Sequence, residues 1–296
     1  MKITLTGSLG NISKTLAEML ITNGHEVTII SSDPQKSNPI EAMGAKAAIG
    51  SISDVGFLTR SFAGVDAVYT MVPPNWGVGN YRQYIAQTGK NYLDAIKASG
   101  VKRVVNLSSI GAHLQDGTGP IAGLYDVEQT LNTLDDVAIK HLRAGIFYIN
   151  FFFDMGVIRN MGIMGNNYGE KTKLAMVHPR DIAAAAAQEL QSSFEGKSHR
   201  YVVSEEREIS EIVKILGTSI DKPELPWVQF SDEETFAGMT GAGMSEAIAG
   251  VYVEMGSAIN SGLLFEDFNQ HKPEVWGSTK LNDFMNEFAA VYKSQG

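Results

Sequence analysis

In the first half of the chain, short apolar runs alternate with segments whose apolar residues recur every three or four positions. Lys2–Thr6, Glu26–Ile30, Ala45–Ile49, Ala67–Val72 and Arg103–Leu107 are rich in Val, Ile and Thr and predict strands, whereas Lys14–Asn23 and Asn80–Ser99 carry helical spacing. Turn residues fall where these elements should end: Asn23-Gly24 closes the first helix, Gly64-Val65-Asp66 precedes one strand and Ser99-Gly100 another. Strand and helix in alternation imply an α/β fold with a doubly wound parallel sheet. A further strand is expected at Ile139–Leu142. "LAMVHPRDIAAAAAQEL" reads as a strand followed by a helix capped by Asp181, and Tyr201-Val202-Val203 returns to the sheet.

After about residue 204 the pattern changes to helical segments separated by loops bearing Pro223, Pro226 and Pro273, with the run "FAGMTGAGMSEAIAGVYVEMG" among them. The expected organisation is a main domain over 1–150 whose sheet is completed by about 175–203. A smaller C-terminal α+β lobe over 204–296 follows, with 151–174 contributing to a cleft between the two.

Composition narrows the function classes. With 296 residues and 44% hydrophobic content, core burial is not limiting. A formal charge of −9 and no local basic patch disfavour a nucleic-acid partner. The absence of cysteine excludes disulfides, thiol catalysis and thiolate zinc sites. Six histidines are scattered without ligand spacing, so no metal is expected, and a G-x-S-x-G nucleophile elbow is absent. Met1-Lys2 leads straight into a strand pattern, and no run approaches the roughly 20 apolar residues of a membrane span. The expectation is a soluble cytoplasmic protein with no membrane segment.

The candidate chemistry begins at "TGSLGNIS". Gly7 and Gly10 stand after a strand and before a helix, where a tight turn needs permissive backbone angles and a pyrophosphate can approach helix-terminal N–H groups. The third glycine of the general dinucleotide fingerprint is replaced by Ser13, small enough to substitute in helix–strand packing, and Asn11 is placed to bond backbone groups in the turn. The second strand ends "VTIISSDPQKSN". Ser31, Ser32 and Lys36 suit a ribose 2′-phosphate and Asp33 suits it poorly; the alternative is a polar Asp33-Pro34 turn with a solvated Lys36. NADP(H) is favoured, with NAD(H) also compatible.

Five further stretches, "GSISD" (50–54), "GVDAVYTMVPP" (64–74), "SGVKRVVNLSSIGAH" (99–113), "HLRAGIFYINFF" (141–152) and "VHPRDIAAAAAQEL" (177–190), join "TGSLGNIS" in a consistent order. Together they resemble the NmrA-like branch of the atypical short-chain dehydrogenase/reductases, from residue 1 to about 205. The resemblance implies a Rossmann-type domain binding NAD(P)H and a C-terminal lobe closing a substrate cleft. It assigns the pyrophosphate turn to Gly7, Ser8, Gly10, Asn11 and Ile12, and the 2′-phosphate contact to Lys36, with Ser32 where the family usually has arginine. Met71, Val72 and Pro73 match the segment running past the adenine-side ribose toward the nicotinamide. Ser108 and Ser109 match the serine pair near the nicotinamide, and Gly145, Phe147 and Asn150 the loop bordering the substrate pocket.

Read as residues alone, Met71–Pro74 can terminate a buried strand, Phe147 and Phe151–Phe153 can be core, and Ser108 can cap a turn. Tyr81, Trp76, Phe147 and Tyr148 are candidates for aromatic cleft walls, each individually better explained by packing.

Classical short-chain reductases carry a tyrosine with a lysine four residues later, which lowers the tyrosine pKa. Aligned on "VEQTL", with Glu128 matching a glutamate common on that helix, this chain has Pro120 and Leu124 at those positions; Tyr125 lies nearby but is followed four residues later by Gln129. Proton delivery by a Tyr–Lys pair is therefore not expected. The remaining catalytic candidates are His113, Tyr125 and Asn150; His113 is read as a loop residue and His178 as structural. Reduction of a quinone or similar conjugated acceptor asks least of the protein, because the product anion is stable. The competing reading is a dinucleotide-sensing regulator acting through a protein partner. Sugar-nucleotide epimerisation, which needs the same tyrosine, ranks lower.

Overall fold

Burial on both faces explains the apolar runs of the first strands. The computed structural model describes residues 1–294. Its first half contains β1 (Lys2–Leu5), α1 (Ser13–Thr22), β2 (Glu26–Ser31), α2 (Ser37–Ala42), β3 (Lys46–Ile49), α3 (Val55–Phe62), β4 (Ala67–Thr70), α4 (Tyr81–Ser99), β5 (Arg103–Ser109), α5 (Ile121–Asn132) and β6 (Ala138–Ala144). Next come β7 (Ile146–Phe147), a 3-10 turn at Tyr148–Asp154, α6 (Met155–Met161), β8 (Met164–Asn166), β9 (Lys173–Val177), α7 (Pro179–Gln191) and β10 (Lys197–Val202). The chain continues with β11 (Glu205–Glu208), α8 (Ile209–Ser219), β12 (Trp227–Gln229), α9 (Asp232–Gly241), α10 (Glu246–Asn260), α11 (Glu266–Gln270) and α12 (Leu281–Ser294).

Seven strands form the main sheet in the order β10-β6-β5-β4-β1-β2-β3, all paired in parallel. Ile3, Leu5, Val27, Ile29 and Tyr69 pack with α1 and α7 on one face. Val68, Val104 and Ile139 pack with α3, α4 and α5 on the other. This is the doubly wound arrangement the alternation predicts. The helices α4 and α5 meet closely because each offers a glycine: a Cβ on Gly89 would lie 2.8 Å from Val127, and one on Gly123 2.8 Å from Ile85.

The stretch 175–203 departs from the expectation in one respect. Only β10 joins the main sheet; β9 lies in a three-stranded sheet, between β7 in parallel and β11 antiparallel. The remaining strands, β8 and β12, form a separate parallel pair. The helix of that stretch is also capped differently, since His178 Nδ1 accepts from the Arg180 N–H at 3.0 Å. Asp181 is instead an anchor: its carboxylate accepts from the Ser204 hydroxyl (2.6 Å), the Thr279 N–H (3.0 Å) and the Thr279 hydroxyl (3.0 Å). The segment before α12 is thereby tied to the end of β10.

A third core, centred on Phe268, Phe284 and Phe288, fills the C-terminal part. Among the described residues no single helix is long and apolar enough to cross a membrane.

Candidate functional site

The turn after β1 takes its shape from two consecutive residues with positive φ, Gly7 at 94° and Ser8 at 54°. A Cβ on Gly7 would lie 2.5 Å from Ser13 Oγ and 3.2 Å from the Met71 side chain, so only glycine fits. The Gly10 N–H closes the turn on the Gly7 carbonyl at 3.1 Å. The helix α1 then starts behind Ile12 with no side chain accepting from its first N–H groups and no acid in its first turn. The Lys14 N–H is taken by the Gly10 carbonyl at 3.1 Å, and the positive end of the helix dipole is left without a side-chain anion. Ser13 is buried and donates to the Thr6 carbonyl, satisfying its own hydroxyl inside the turn. Asn11 is exposed, and among the described residues its side chain makes no hydrogen bond, so it does not bond the turn as expected.

At the end of β2 the hydroxyls divide. Ser31 is 3% exposed; its Oγ accepts from Ser8 Oγ at 2.8 Å and from the Asp33 N–H at 3.2 Å, so it braces the glycine turn and is turned away from solvent. Ser32 and Lys36 are exposed. The Asp33 carboxylate caps the short 3-10 turn Pro34–Lys36 by accepting from the Gln35 N–H at 2.9 Å. The polar Asp33-Pro34 turn is present, with Lys36 exposed on it.

Met71, Val72 and Pro73 leave β4 half-buried. The Met71 N–H donates to Thr6 Oγ1 (2.9 Å) and its carbonyl accepts from the Tyr92 hydroxyl (2.7 Å), while the Pro73 carbonyl accepts from Tyr84 (2.9 Å). Thr6, Tyr84 and Tyr92 are site-building residues that sequence reasoning did not single out; a hydroxyl on a buried strand or helix face was the available signal.

Ser108 is placed differently from the expectation. Its hydroxyl donates to Glu128 Oε1 at 2.5 Å, and Glu128 is clasped by Arg143 through Nε (3.1 Å) and Nη2 (2.7 Å). Arg143 also lies 3.6 Å from Asp267, whose carboxylate accepts from the Tyr201 hydroxyl. This buried chain joins β5, α5, β6 and β10 to α11. Ser108 faces it, not the cleft. His113 is half-buried, with Nδ1 enclosed and unpartnered, rather than a solvated loop residue. Burial lowers its pKa, against the opposing pull of Asp267.

Pro120, at the position of the absent tyrosine, is half-buried at the start of α5. Gly119 before it, with φ of 59°, lies directly against the Val251 carbonyl of α10. Leu124, where a lysine would stand, packs into two apolar cores. Tyr125 is half-buried on α5.

After β6, Gly145 is buried because a Cβ would lie 2.5 Å from the Ala175 carbonyl of β9. Phe147 is half-buried against the α1/α7 core, and Asn150 is exposed on the following 3-10 turn. Tyr81 and Tyr148 are core residues at 8% and 0% exposure, so they form no cleft wall. Trp76 is 47% exposed; it meets Phe153 edge-on at a centroid distance of 5.8 Å, and its Nε1–H donates to the Tyr252 hydroxyl at 3.3 Å. Phe153 itself is 69% exposed, unlike the core phenylalanines around it.

The glycine turn, the Ser32–Lys36 stretch, Met71–Pro73 and the Gly145–Phe147 crossing therefore all follow the C-terminal ends of parallel strands, where open α/β sheets bind ligands. The fold is a Rossmann-type, doubly wound one. Residues 7–142 match a family model described as NAD(P)H-binding. The NADPH complex of an NADPH-dependent quinone oxidoreductase from Escherichia coli superposes with a TM-score of 0.81 at 21% identity, covering 96% of this chain and 99% of that one. The NADP(H) complex of a Citrobacter triphenylmethane reductase gives 0.79 at 20% identity over 97% and 99%. A nucleoside-diphosphate-sugar epimerase from Staphylococcus aureus gives 0.78 at 18% identity over 96% and 99%. Two Mycobacterium tuberculosis proteins provisionally named as oxidoreductases are 24% identical over 126 residues, which is 40% of this chain and 55% of theirs. The chain thus spans about half the length of these curated relatives. The N-terminal part carries an NAD(P)H-binding domain.

Proposed function

We propose that the chain is an NADPH-dependent oxidoreductase that reduces a quinone or a similar conjugated acceptor, working as a soluble cytoplasmic enzyme. The observation that carries this reading is an open dinucleotide turn in a chain with Pro120 and Leu124 where a Tyr–Lys pair would stand. Gly7, Ser8 and the start of α1 can receive a pyrophosphate, and Leu124 packs into the core. Bound NADPH supplies a hydride. The residues of this chain orient it: Gly10, Asn11 and Ile12 by their backbone at the pyrophosphate, Ser32 and Lys36 at the 2′-phosphate, and Met71–Pro73 along the adenine-side ribose toward the nicotinamide. Trp76 and Phe153 offer a flat acceptor an apolar wall facing the same strand ends. Solved structures of the same fold that are named as quinone and triphenylmethane reductases support the acceptor class.

Pro120 and Leu124 at the Tyr–Lys positions also favour a second reading, a non-catalytic dinucleotide sensor that changes its association with a regulatory partner. Purified protein mixed with NADPH or NADH and a panel of quinones separates the two. Loss of reduced-nicotinamide absorbance supports the reductase; measurable NADPH binding with no turnover on any acceptor supports the sensor.

A further inference from the structure

The stretch Met71–Trp76, which runs from the end of β4 toward α4, is held by tyrosine hydroxyls. Tyr92 and Tyr84, both on α4, donate to the Met71 and Pro73 carbonyls at 2.7 and 2.9 Å. The third comes from the C-terminal part, where the Tyr252 hydroxyl on α10 accepts from Trp76 Nε1–H at 3.3 Å. There the roles reverse. The α4 tyrosines use their protons on the loop, whereas Tyr252 only accepts, and among the described residues its own O–H has no acceptor. Its ring is partly exposed and packs against the core that α3, α4 and α5 form on the sheet, so the free donor is held in place. A hydroxyl that accepts one hydrogen bond becomes a stronger donor in the next. Phe153 meets the same indole edge-on at 5.8 Å, which puts this donor at the Trp76–Phe153 pair. A second contact fixes α10 itself: the Val251 carbonyl and the Met255 N–H close on the bare Cα of Gly119. The turn of α10 that carries Tyr252 therefore sits against the segment in which Pro120 stands for the tyrosine of the classical reductases.

We infer that Tyr252 is a catalytic hydrogen-bond donor, whose O–H stabilises the oxyanion formed when an acceptor bound against the Trp76–Phe153 pair takes hydride. The inference rests on the reductase reading above and supplies, from the C-terminal part of the chain, a hydroxyl that α5 lacks. For a quinone the step balances as follows. A C–H bond of the nicotinamide breaks, and hydride carries two electrons and one proton to the quinone, NADPH being oxidised to NADP+. One quinone oxygen gains that hydrogen and the other becomes the phenolate of a hydroquinone monoanion. The Tyr252 hydroxyl donates to the phenolate oxygen as charge gathers on it, and keeps its own proton. A proton from solvent then forms the second phenolic O–H bond. A donor fixed in advance, where charge develops, needs no reorganisation at the moment of transfer.

Two acceptors test this with the same protein. A benzoquinone develops an oxyanion on taking hydride, whereas a cationic triarylmethyl dye becomes neutral and develops none. Tyr252→Phe keeps the ring in its packing and removes only the hydroxyl. It is expected to lower kcat for the quinone by about 100-fold relative to kcat for the dye, the usual effect of deleting one oxyanion donor. NADPH titration at the wild-type affinity certifies the fold. Trp76→Phe keeps an aromatic ring beside Phe153 but releases the Tyr252 hydroxyl, and should lower the same quinone-to-dye ratio by about fivefold, the scale of one neutral hydrogen bond. An unchanged quinone rate in Tyr252→Phe, or an equal loss with both acceptors, would overturn the inference. Wild-type protein that binds NADPH but reduces neither acceptor would instead overturn the reductase reading, and the role of Tyr252 with it.

Discussion

The hydroxyl of Ser13 donates to the main-chain carbonyl of Thr6 at 2.8 Å, across the turn that joins β1 to α1. A residue that departs from the glycine fingerprint therefore closes the turn from inside, while Thr6 uses its own hydroxyl to hold Met71. Ser13→Ala should cost about 1 kcal/mol of stability, the ordinary net value of such a bond, and leave dinucleotide binding intact. Urea unfolding and an NADPH titration measure the two quantities separately.

Gly10 is exposed, and a Cβ there would lie 3.0 Å from the Gly7 carbonyl. Gly10→Val should keep the fold yet abolish dinucleotide binding, because the branched side chain fills the approach to the α1 amides. Calorimetric titration with NADPH checks it; unchanged affinity would refute the cofactor assignment.

Lys36 has no side-chain partner among the described residues and points outward from the Asp33-Pro34 turn. Lys36→Ala should weaken NADPH binding by about tenfold, equivalent to about 1.4 kcal/mol, and leave NADH binding unchanged. Added salt should shrink the difference, since an exposed cation is screened.

Arg143 and Glu128 form a buried pair, both under 10% exposed, that also receives the Ser108 hydroxyl. Removing one partner by Arg143→Met should cost about 3–5 kcal/mol by stranding the carboxylate, whereas Ser108→Ala should cost about 1 kcal/mol. Denaturant midpoints distinguish this structural role from a catalytic one for Ser108, as the serine variant should retain turnover.

The Asp154 carboxyl is raised by burial from 3.8 to about 7. Its contribution to stability is complete below its unfolded pKa and is lost as pH rises through about 7. His141 is lowered by burial to about 4, so its contribution is present above its unfolded pKa of 6.5 and is lost as pH falls through about 4. The two act in opposite senses over the same window, which makes the difference between proteins the readable quantity. Wild type should lose stability relative to Asp154→Asn as pH rises from about 4 to about 7, measured by thermal unfolding.

Much of this architecture was legible in residue order. Val, Ile and Thr runs punctuated by Asn23-Gly24 and Ser99-Gly100 became β1, β2, β4, β5 and the ends of α1 and α4, because strand burial and turn chemistry act locally. The placement of β9 was not legible: Leu174–Val177 is as apolar as a central strand, and only the tertiary approach of Gly145 decides its partner. Ser108 likewise reads as a cleft residue until Arg143, 35 positions on, is seen to hold Glu128 where the serine can reach it. Hydroxyl-to-carboxylate chains of this kind leave no periodic trace.

Trp76 has an optical consequence. The chain has three tryptophans; Trp227 donates its N–H to the Tyr168 carbonyl and Trp276 packs on Phe268, whereas Trp76 stands half in solvent beside the strand-end crevice. Its emission overlaps the absorption of a reduced nicotinamide, so energy transfer from this indole should report occupancy of the crevice without any label. A protein in which Trp76 is replaced by phenylalanine would keep the aromatic edge and lose most of the signal, giving the blank that such a spectroscopic titration requires.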